Sequence, residues 1–279
     1  MSIIYYNGNY ISSDEPLFAA GNRIIRYGDG VFESIAVYKK HAPLLEKHVV
    51  RINNAQKAIG IDHPISKDKI IEITDHLARE NQLGENYIVN IISNRDSAGG
   101  YVPNAQDAHL IINALPLEED HFKLNVIGKR MGIYRDNPKP AGSVSKFKTA
   151  SSLLYVLAGK FCESNDLDDC IILNPFGKVA EAYSSNIFVY TEGSWKTPPL
   201  SSGCVSGMMR SEIIQFCAEN GIPISEVDLD VREVYNAEEI FTSNAVRGIQ
   251  WVGEFEGKAF QNYQASKLSN ALNKKWGLK

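Results

Sequence analysis

Apolar positions recur with two different periods along this chain. Residues 3–6 and 9–11 are short strand-like runs around Asn7-Gly8, a pair that tolerates positive φ and so predicts a hairpin. Leu45, Val49, Ile52 and Ile59 then repeat near one face at helical spacing, with Gly60 as a stop, which predicts a helix over residues 45–59. A second helix follows Ser66, with Ile70, Ile73 and Leu77 in register, and ends near Gly84. Residues 87–93 and 108–114 are continuous apolar runs of strand length. The glycine-rich polar stretch between them, residues 96–107, is long enough to be a functional loop.

After Leu117 the acidic Glu118-Glu119-Asp120 interrupts the apolar pattern, which resumes as a predicted strand over residues 123–128. The expected division is a small N-terminal α+β domain over residues 1–117, a linker at 118–122 and a larger α+β domain over 123–279. In the second part, two prolines and a glycine within residues 136–145 precede an amphipathic helix marked by Leu153, Leu154, Leu157 and Phe161. Residues 170–173 and 178–182 flank Asn174-Pro175-Phe176-Gly177, the composition of a tight turn between strands. Residues 186–190, 239–243 and 248–252 are further predicted strands, residues 207–220 a loop leading into a helix stopped by Gly221, and the C-terminus a helix. There is no internal repeat.

Composition narrows the classes. With 279 residues, two cores are favoured over one, and 44% hydrophobic with 22% charged residues is ordinary for a folded globular protein. A net charge of −4 offers no electrostatic footprint for nucleic acid. No basic-then-apolar start and no run of about eighteen apolar residues is present, so neither export nor a membrane span is expected and the location is expected to be cytoplasmic. The four cysteines, Cys162, Cys170, Cys204 and Cys217, and the six histidines lack metal-ligand spacing. Reduced thiols and no metal site are the expectation.

Candidate chemistry comes in five pieces in fixed order: Tyr27-Gly28-Asp29-Gly30-Val31-Phe32-Glu33, His48-Val49-Val50-Arg51, Lys148, Glu181 with Ser184-Ser185-Asn186, and Gly207-Met208-Met209-Arg210. One lysine or one glutamate is usually a solvated charge. Together the five resemble the class IV aminotransferases, the fold type IV pyridoxal-phosphate enzymes that include branched-chain and D-amino acid transaminases and 4-amino-4-deoxychorismate lyase, over nearly the whole chain. The resemblance implies an α+β, two-domain, D-amino acid aminotransferase-like architecture with pyridoxal 5'-phosphate between the domains, and a homodimer.

It also implies roles. Lys148 matches the lysine that forms a Schiff base with the cofactor aldehyde, with Lys146 as the competing candidate. Glu181 matches the glutamate that pairs with the pyridine nitrogen and keeps the ring an electron sink. Arg51 matches the phosphate arginine, and Gly207, Met208 and Met209 open a helix whose N–H groups would complete a phosphate cup. Ser243, Asn244 and Ala245 fall in the matching turn. Met209 and Ala245 stand where many relatives carry threonine, which removes two side-chain hydrogen bonds. Tyr27, Ser34 and Arg95 are the substrate-side candidates, Arg95 with a one-residue offset from the family loop.

The resemblance implies transfer of an amino group from an amino acid, branched-chain among the candidates, to a 2-oxo acid such as 2-oxoglutarate. Phe32-Glu33 favours a transaminase. Ser34, Gly-x-Met-Arg and Ser243-Asn244-Ala245-Val246 are closer to aminodeoxychorismate lyase, which would release pyruvate and 4-aminobenzoate. A non-catalytic cofactor-binding protein is the remaining alternative, suggested by Met209 and Ala245 alone.

Overall fold

Asn7 and Gly8 both adopt positive φ, 47° and 95°, and turn β1 (Ile3–Tyr6) back onto β2 (Asn9–Ser12). This computed structural model describes residues 2–278. The chain forms two units: residues up to Asp120 together with Phe147–Ser152, and His121–Lys146 together with the residues from Leu153 onward.

The first unit continues through α1 (Arg23–Tyr27), β3 (Gly30–Val37), α2 (Leu45–Ala58), α3 (Lys67–Glu80), β4 (Tyr87–Arg95) and β5 (Ala108–Pro116). Its five strands form one antiparallel sheet in the order β2-β1-β5-β4-β3. Strand alternation sends Val31, Ile35 and Val37 of β3, Val89 and Ile91 of β4, and Leu110 and Ile112 of β5 to one face. There they pack with Ile52 and Ala55 of α2 and Ile70, Ile73 and Leu77 of α3 in a single core. Ser66 caps α3 by accepting from the Lys69 N–H. β3 was not apparent in the periodicity because Glu33 and Ser34 interrupt its apolar run, yet Glu33 is buried on the core face.

Phe147–Ser152, expected in the larger domain, belongs to the first unit. The reason is backbone pairing along β3: the Phe32 N–H donates to the Lys148 carbonyl at 3.0 Å and the Ala150 N–H to the Gly30 carbonyl at 2.9 Å.

The second unit comprises β6 (Lys129–Tyr134), α4 (Leu153–Ser164), β7 (Asp169–Leu173), β8 (Val179–Ala182), β9 (Asn186–Thr191), β10 (Ser194–Thr197), α5 (Met208–Glu219), β11 (Ile224–Glu226), α6 (Val231–Asn236), β12 (Glu239–Asn244), β13 (Gly248–Phe255), β14 (Lys258–Ala259) and α7 (Tyr263–Lys275). Its mixed sheet runs β11-β10-β9-β12-β13-β6-β7-β8, with β14 added on β13.

Two expectations are corrected here. Residues 123–128 are not a strand: Val126 and Ile127 are each 85% exposed, and the Asn125 side chain bonds the Ile127 and Trp251 carbonyls, so the strand starts only at Lys129. The inward face of α4 is also rotated from the expected one. Leu153 and Leu157 face solvent, while Leu154, Tyr155, Ala158 and Cys162 meet Tyr134, Cys170 and Ile172.

At the foot of β6 and β13 two glycine backbones meet, and a Cβ on Gly128 would lie 2.5 Å from the Gly253 nitrogen. Gly128→Ala is expected to destabilise the protein by about 1–3 kcal/mol through overpacking against backbone that cannot give way. Chemical denaturation reads this directly, and a wild-type midpoint would contradict so close an approach.

Candidate active site

In the first unit the glycine-aspartate-glycine segment has a physical explanation at each position. Gly28 ends α1 in the left-handed region, φ 62°, where a Cβ would also lie 3.1 Å from the Ser151 backbone. Gly30 lets the β4 backbone approach, since a Cβ there would lie 2.8 Å from the Ser93 carbonyl oxygen. Asp29 between them receives Nε of Arg23 at 2.7 Å and Nε of Arg95 at 3.0 Å. Arg23 reaches on to the carbonyls of Gly100 and Tyr101, and Arg95 to those of Ile59, Gly60 and Ala105.

Arg95, expected on the substrate side, has its guanidinium turned to Asp29 and to main-chain carbonyls. It is buried, its guanidinium is occupied by Asp29 and main-chain carbonyls, and its work is to hold the base of the loop at residues 96–107. Tyr27 is half-buried, with the Arg23 and Arg26 guanidiniums 5.1 and 5.0 Å from its ring centre and the Tyr101 ring beside it.

On β3, Phe32 and Ser34 point away from the core and Glu33 points into it. Lys148 is half-buried, with Nζ 4.4 Å from the centre of the Phe32 ring, whereas the side chain of the competing Lys146 is exposed.

Beneath that face, Arg51 of α2 forks onto Glu33: Nε to Oε1 at 2.6 Å and Nη2 to Oε2 at 2.5 Å. His48, one turn earlier, meets Glu33 Oε2 through Nδ1 at 2.7 Å. Burial pushes the Glu33 carboxyl up, but the Arg51 charge and the hydrogen bonds from Arg51 and His48 outweigh it and hold the group at about 2. An ionised carboxylate can only accept, so His48 Nδ1 carries the proton and its Nε2 is a buried lone pair without a hydrogen-bond partner among the described residues. Burial, with Arg51 and Lys148 nearby, pushes the His48 imidazole down against the pull of Glu33, keeping it neutral.

In the second unit Glu181 lies on β8 and is buried. Its Oε1 accepts from the Tyr155 hydroxyl at 2.7 Å and lies 2.9 Å from Lys139 Nζ, and its Oε2 accepts from the Val205 N–H at 2.7 Å. Lys139 Nζ also donates to Tyr155 Oη at 2.6 Å and to the Ser145 carbonyl at 3.2 Å. Sequence reasoning missed Lys139 and Tyr155. Lys139 stands between two prolines in what reads as a solvated loop, and Tyr155 needed the true inward face of α4.

Two residues past Val205, Gly207 precedes α5 without any side-chain cap, leaving the Met208, Met209 and Arg210 N–H groups with no intrahelical acceptor. A Cβ on Gly207 would overlap Asn186 Oδ1. Asn186 is paired with Ser243 across β9 and β12, and the Ser243 hydroxyl is buried without a partner among the described residues. Met208 and Met209 bury their side chains, so only their backbone can meet a ligand. Asn244 is engaged in its own turn, accepting from the Val246 and Arg247 N–H groups and donating to Ser184 and Ser185. Ala245, half-buried in that turn, contributes no side-chain donor. Arg210 is buried against the Pro198 carbonyl and Glu226.

The family model for amino-transferase class IV matches residues 30–255, and the chain belongs to that family. A provisionally named branched-chain-amino-acid aminotransferase of Methanocaldococcus jannaschii is 27% identical, covering 99% of this chain and 98% of that protein. The aminodeoxychorismate lyase of Bacillus subtilis is 28% identical over 88% of this chain and 83% of its own. Among solved structures, the branched-chain aminotransferase of Thermoproteus uzoniensis with norvaline shares the fold at a TM-score of 0.89 and 23% identity, covering 98% and 94% of the two chains. The architecture is thus the α+β fold type IV, and the protein is an enzyme of a pyridoxal-5'-phosphate-dependent family whose main reading is aminotransferase.

The residues present suit that cofactor. A helix N-terminus without a side-chain cap, beside an orphaned buried hydroxyl, is matched to a phosphate dianion, and a buried carboxylate held by three donors is matched to a ring N–H. Among the described residues no helix is long and apolar enough to cross a membrane and no cluster of potential metal ligands occurs.

Glu33→Gln would leave Arg51 buried without its countercharge and is expected to cost about 3–5 kcal/mol of unfolding free energy at neutral pH. Because the folded carboxyl is held at about 2, below its ordinary 4.5, the wild type keeps this contribution above that ordinary value and loses it as the pH falls through about 2. The stability gap between variant and wild type should close over the same window in acid denaturation.

Proposed function

We propose that this enzyme is a transaminase that takes the amino group of an amino acid, a branched-chain one first among the candidates, and passes it to a 2-oxo acid such as 2-oxoglutarate. The observation that supports the cofactor-dependent part of the reading is the Glu181 carboxylate, buried and fixed by Lys139, Tyr155 and the Val205 N–H, and the branched-chain aminotransferase relatives favour transfer over elimination. A buried charge so held is weak as a source of stability and is suited to a permanent partner such as a ring N–H.

Bound pyridoxal phosphate supplies an aldehyde that condenses with amines and a ring that accepts an electron pair. Lys148 would hold that aldehyde and, once its amine is released, would take up the α-proton of the substrate on Nζ and hold it for return to the carbon of the former aldehyde. Glu181 would keep a proton on the ring nitrogen of the bound cofactor. The Met208, Met209 and Arg210 N–H groups, the Ser243 hydroxyl and Arg51 are assigned to the phosphate, and Tyr27, Phe32 and Ser34 to the substrate side. With Met209 and Ala245 where many relatives carry threonine, the phosphate would rely on the backbone donors, the Ser243 hydroxyl and Arg51.

A homodimer and a cytoplasmic location belong to the same reading. The first is supported by the family resemblance, and the second by four cysteines that are all unpaired thiols.

The test is release of one equivalent of keto acid from the cofactor-loaded protein on adding single L- or D-amino acids with no acceptor. If every donor fails while aminodeoxychorismate yields pyruvate and 4-aminobenzoate, the transaminase reading is wrong and the lyase, favoured by the Bacillus subtilis relative, replaces it. Lys148→Ala should lower turnover by at least about 10²–10⁴-fold. Circular dichroism should be unchanged, since the pairing of residues 148 and 150 with β3 uses backbone atoms alone. Activity that survived in this variant would move the assignment to Lys146.

A further inference from the structure

We propose that Lys139, with Tyr155, is a positioning pair that fixes Glu181 and sets how strongly that carboxylate holds a proton on the cofactor's ring nitrogen, an inference that rests on the reading of Glu181 given above.

The geometry singles out Lys139. Its backbone is tied to the end of β7 through its N–H and the Leu173 carbonyl at 2.8 Å, and its side chain is only 6% exposed. An ammonium is rarely buried unless a partner compensates it. Here the compensation is complete: Nζ meets Glu181 Oε1, Tyr155 Oη and the Ser145 carbonyl. Tyr155 accepts from Lys139 and donates to Glu181, so its hydroxyl is locked in direction. Three elements converge on one carboxylate: the segment before α4, α4 itself and the Val205 backbone.

The neighbouring titratable groups leave Lys139 as the charge facing Glu181. Burial first, then Glu181, pushes the Tyr155 hydroxyl far up, so it is neutral. Burial pushes the nearby Cys204 thiol up to about 11, with Arg210 and Lys139 opposing and Glu181 and Glu226 reinforcing, so it is neutral as well. Arg210 is itself paired with Glu226. A Glu181 whose charge is shared with an ammonium is a weaker acceptor for a ring N–H than one without it. The pair therefore trades electron-sink strength against a carboxylate that stays in one place.

The test uses the loaded enzyme with pyridoxal phosphate carrying ¹⁵N in the ring, whose chemical shift reports the proton on that nitrogen, together with the dissociation constant of the cofactor. Lys139→Met should raise the pH midpoint of the ring signal by at least about one unit, the scale of a lost neighbouring charge, and Lys139→Arg should restore it. Tyr155→Phe, which keeps the packing should Lys139→Met fail to fold, should move the midpoint in the same direction by less. In a Glu181→Gln background Lys139→Met should add nothing, because the effect passes through the carboxylate.

An unshifted midpoint in Lys139→Met or Tyr155→Phe overturns the inference, as does an equal shift in the Glu181→Gln background. If Glu181→Gln alone leaves the ring signal and the cofactor dissociation constant unaltered, the assignment of Glu181 is wrong and this inference falls with it.

Discussion

Two backbone hydrogen bonds decide where Lys148 sits in the first unit. The extended segment at residues 148–150 pairs with Gly30 and Phe32 of β3, although the chain on either side of Phe147–Ser152 belongs to the second unit. Main-chain pairing is insensitive to the side chain it carries, which leaves Lys148 at liberty to be chosen for its chemistry. The pairing also demands a glycine at position 28. Gly28 has no Cβ to strike Ser151, so it is a packing requirement of the lysine segment, whereas Gly30 has none to strike the neighbouring strand β4.

β3 then serves two environments with alternate residues. Phe32 and Ser34 face the side where the Lys148 amine lies against an aromatic ring, while Glu33 turns into the core and is neutralised by Arg51 beside a neutral His48. Asp29 plays a comparable part for the loop at residues 96–107, where Arg23 and Arg95 are buried as ties to main-chain carbonyls.

The second unit uses the same economy of donors. Glu181, Lys139 and Tyr155 satisfy one another almost completely, whereas the start of α5 and the Ser243 hydroxyl are left unsatisfied among the described residues. Buried polar groups are ordinarily paired. The contrast separates a mutually satisfied cluster from a set of donors suited in kind to an anion.

Most of the regular elements were legible in the sequence, because helical spacing over residues 45–59 and strand-length apolar runs such as residues 108–114 are local properties of a chain that must bury one face. So was the order of five motifs, which is why Lys148, Glu181, Arg51 and Gly207 could be named and the family expected. What tertiary structure alone decided is which of these residues are occupied by partners distant in sequence. Arg95 is taken by Asp29, Asn244 by Ser184 and Ser185, and Lys139, unremarkable between two prolines, by a glutamate forty-two positions later, 139 against 181. Periodicity records whether a side chain is turned inward, but the partner that meets it is set by strand pairing and helix rotation. Those are long-range contacts on which a local pattern of apolar and polar residues is silent.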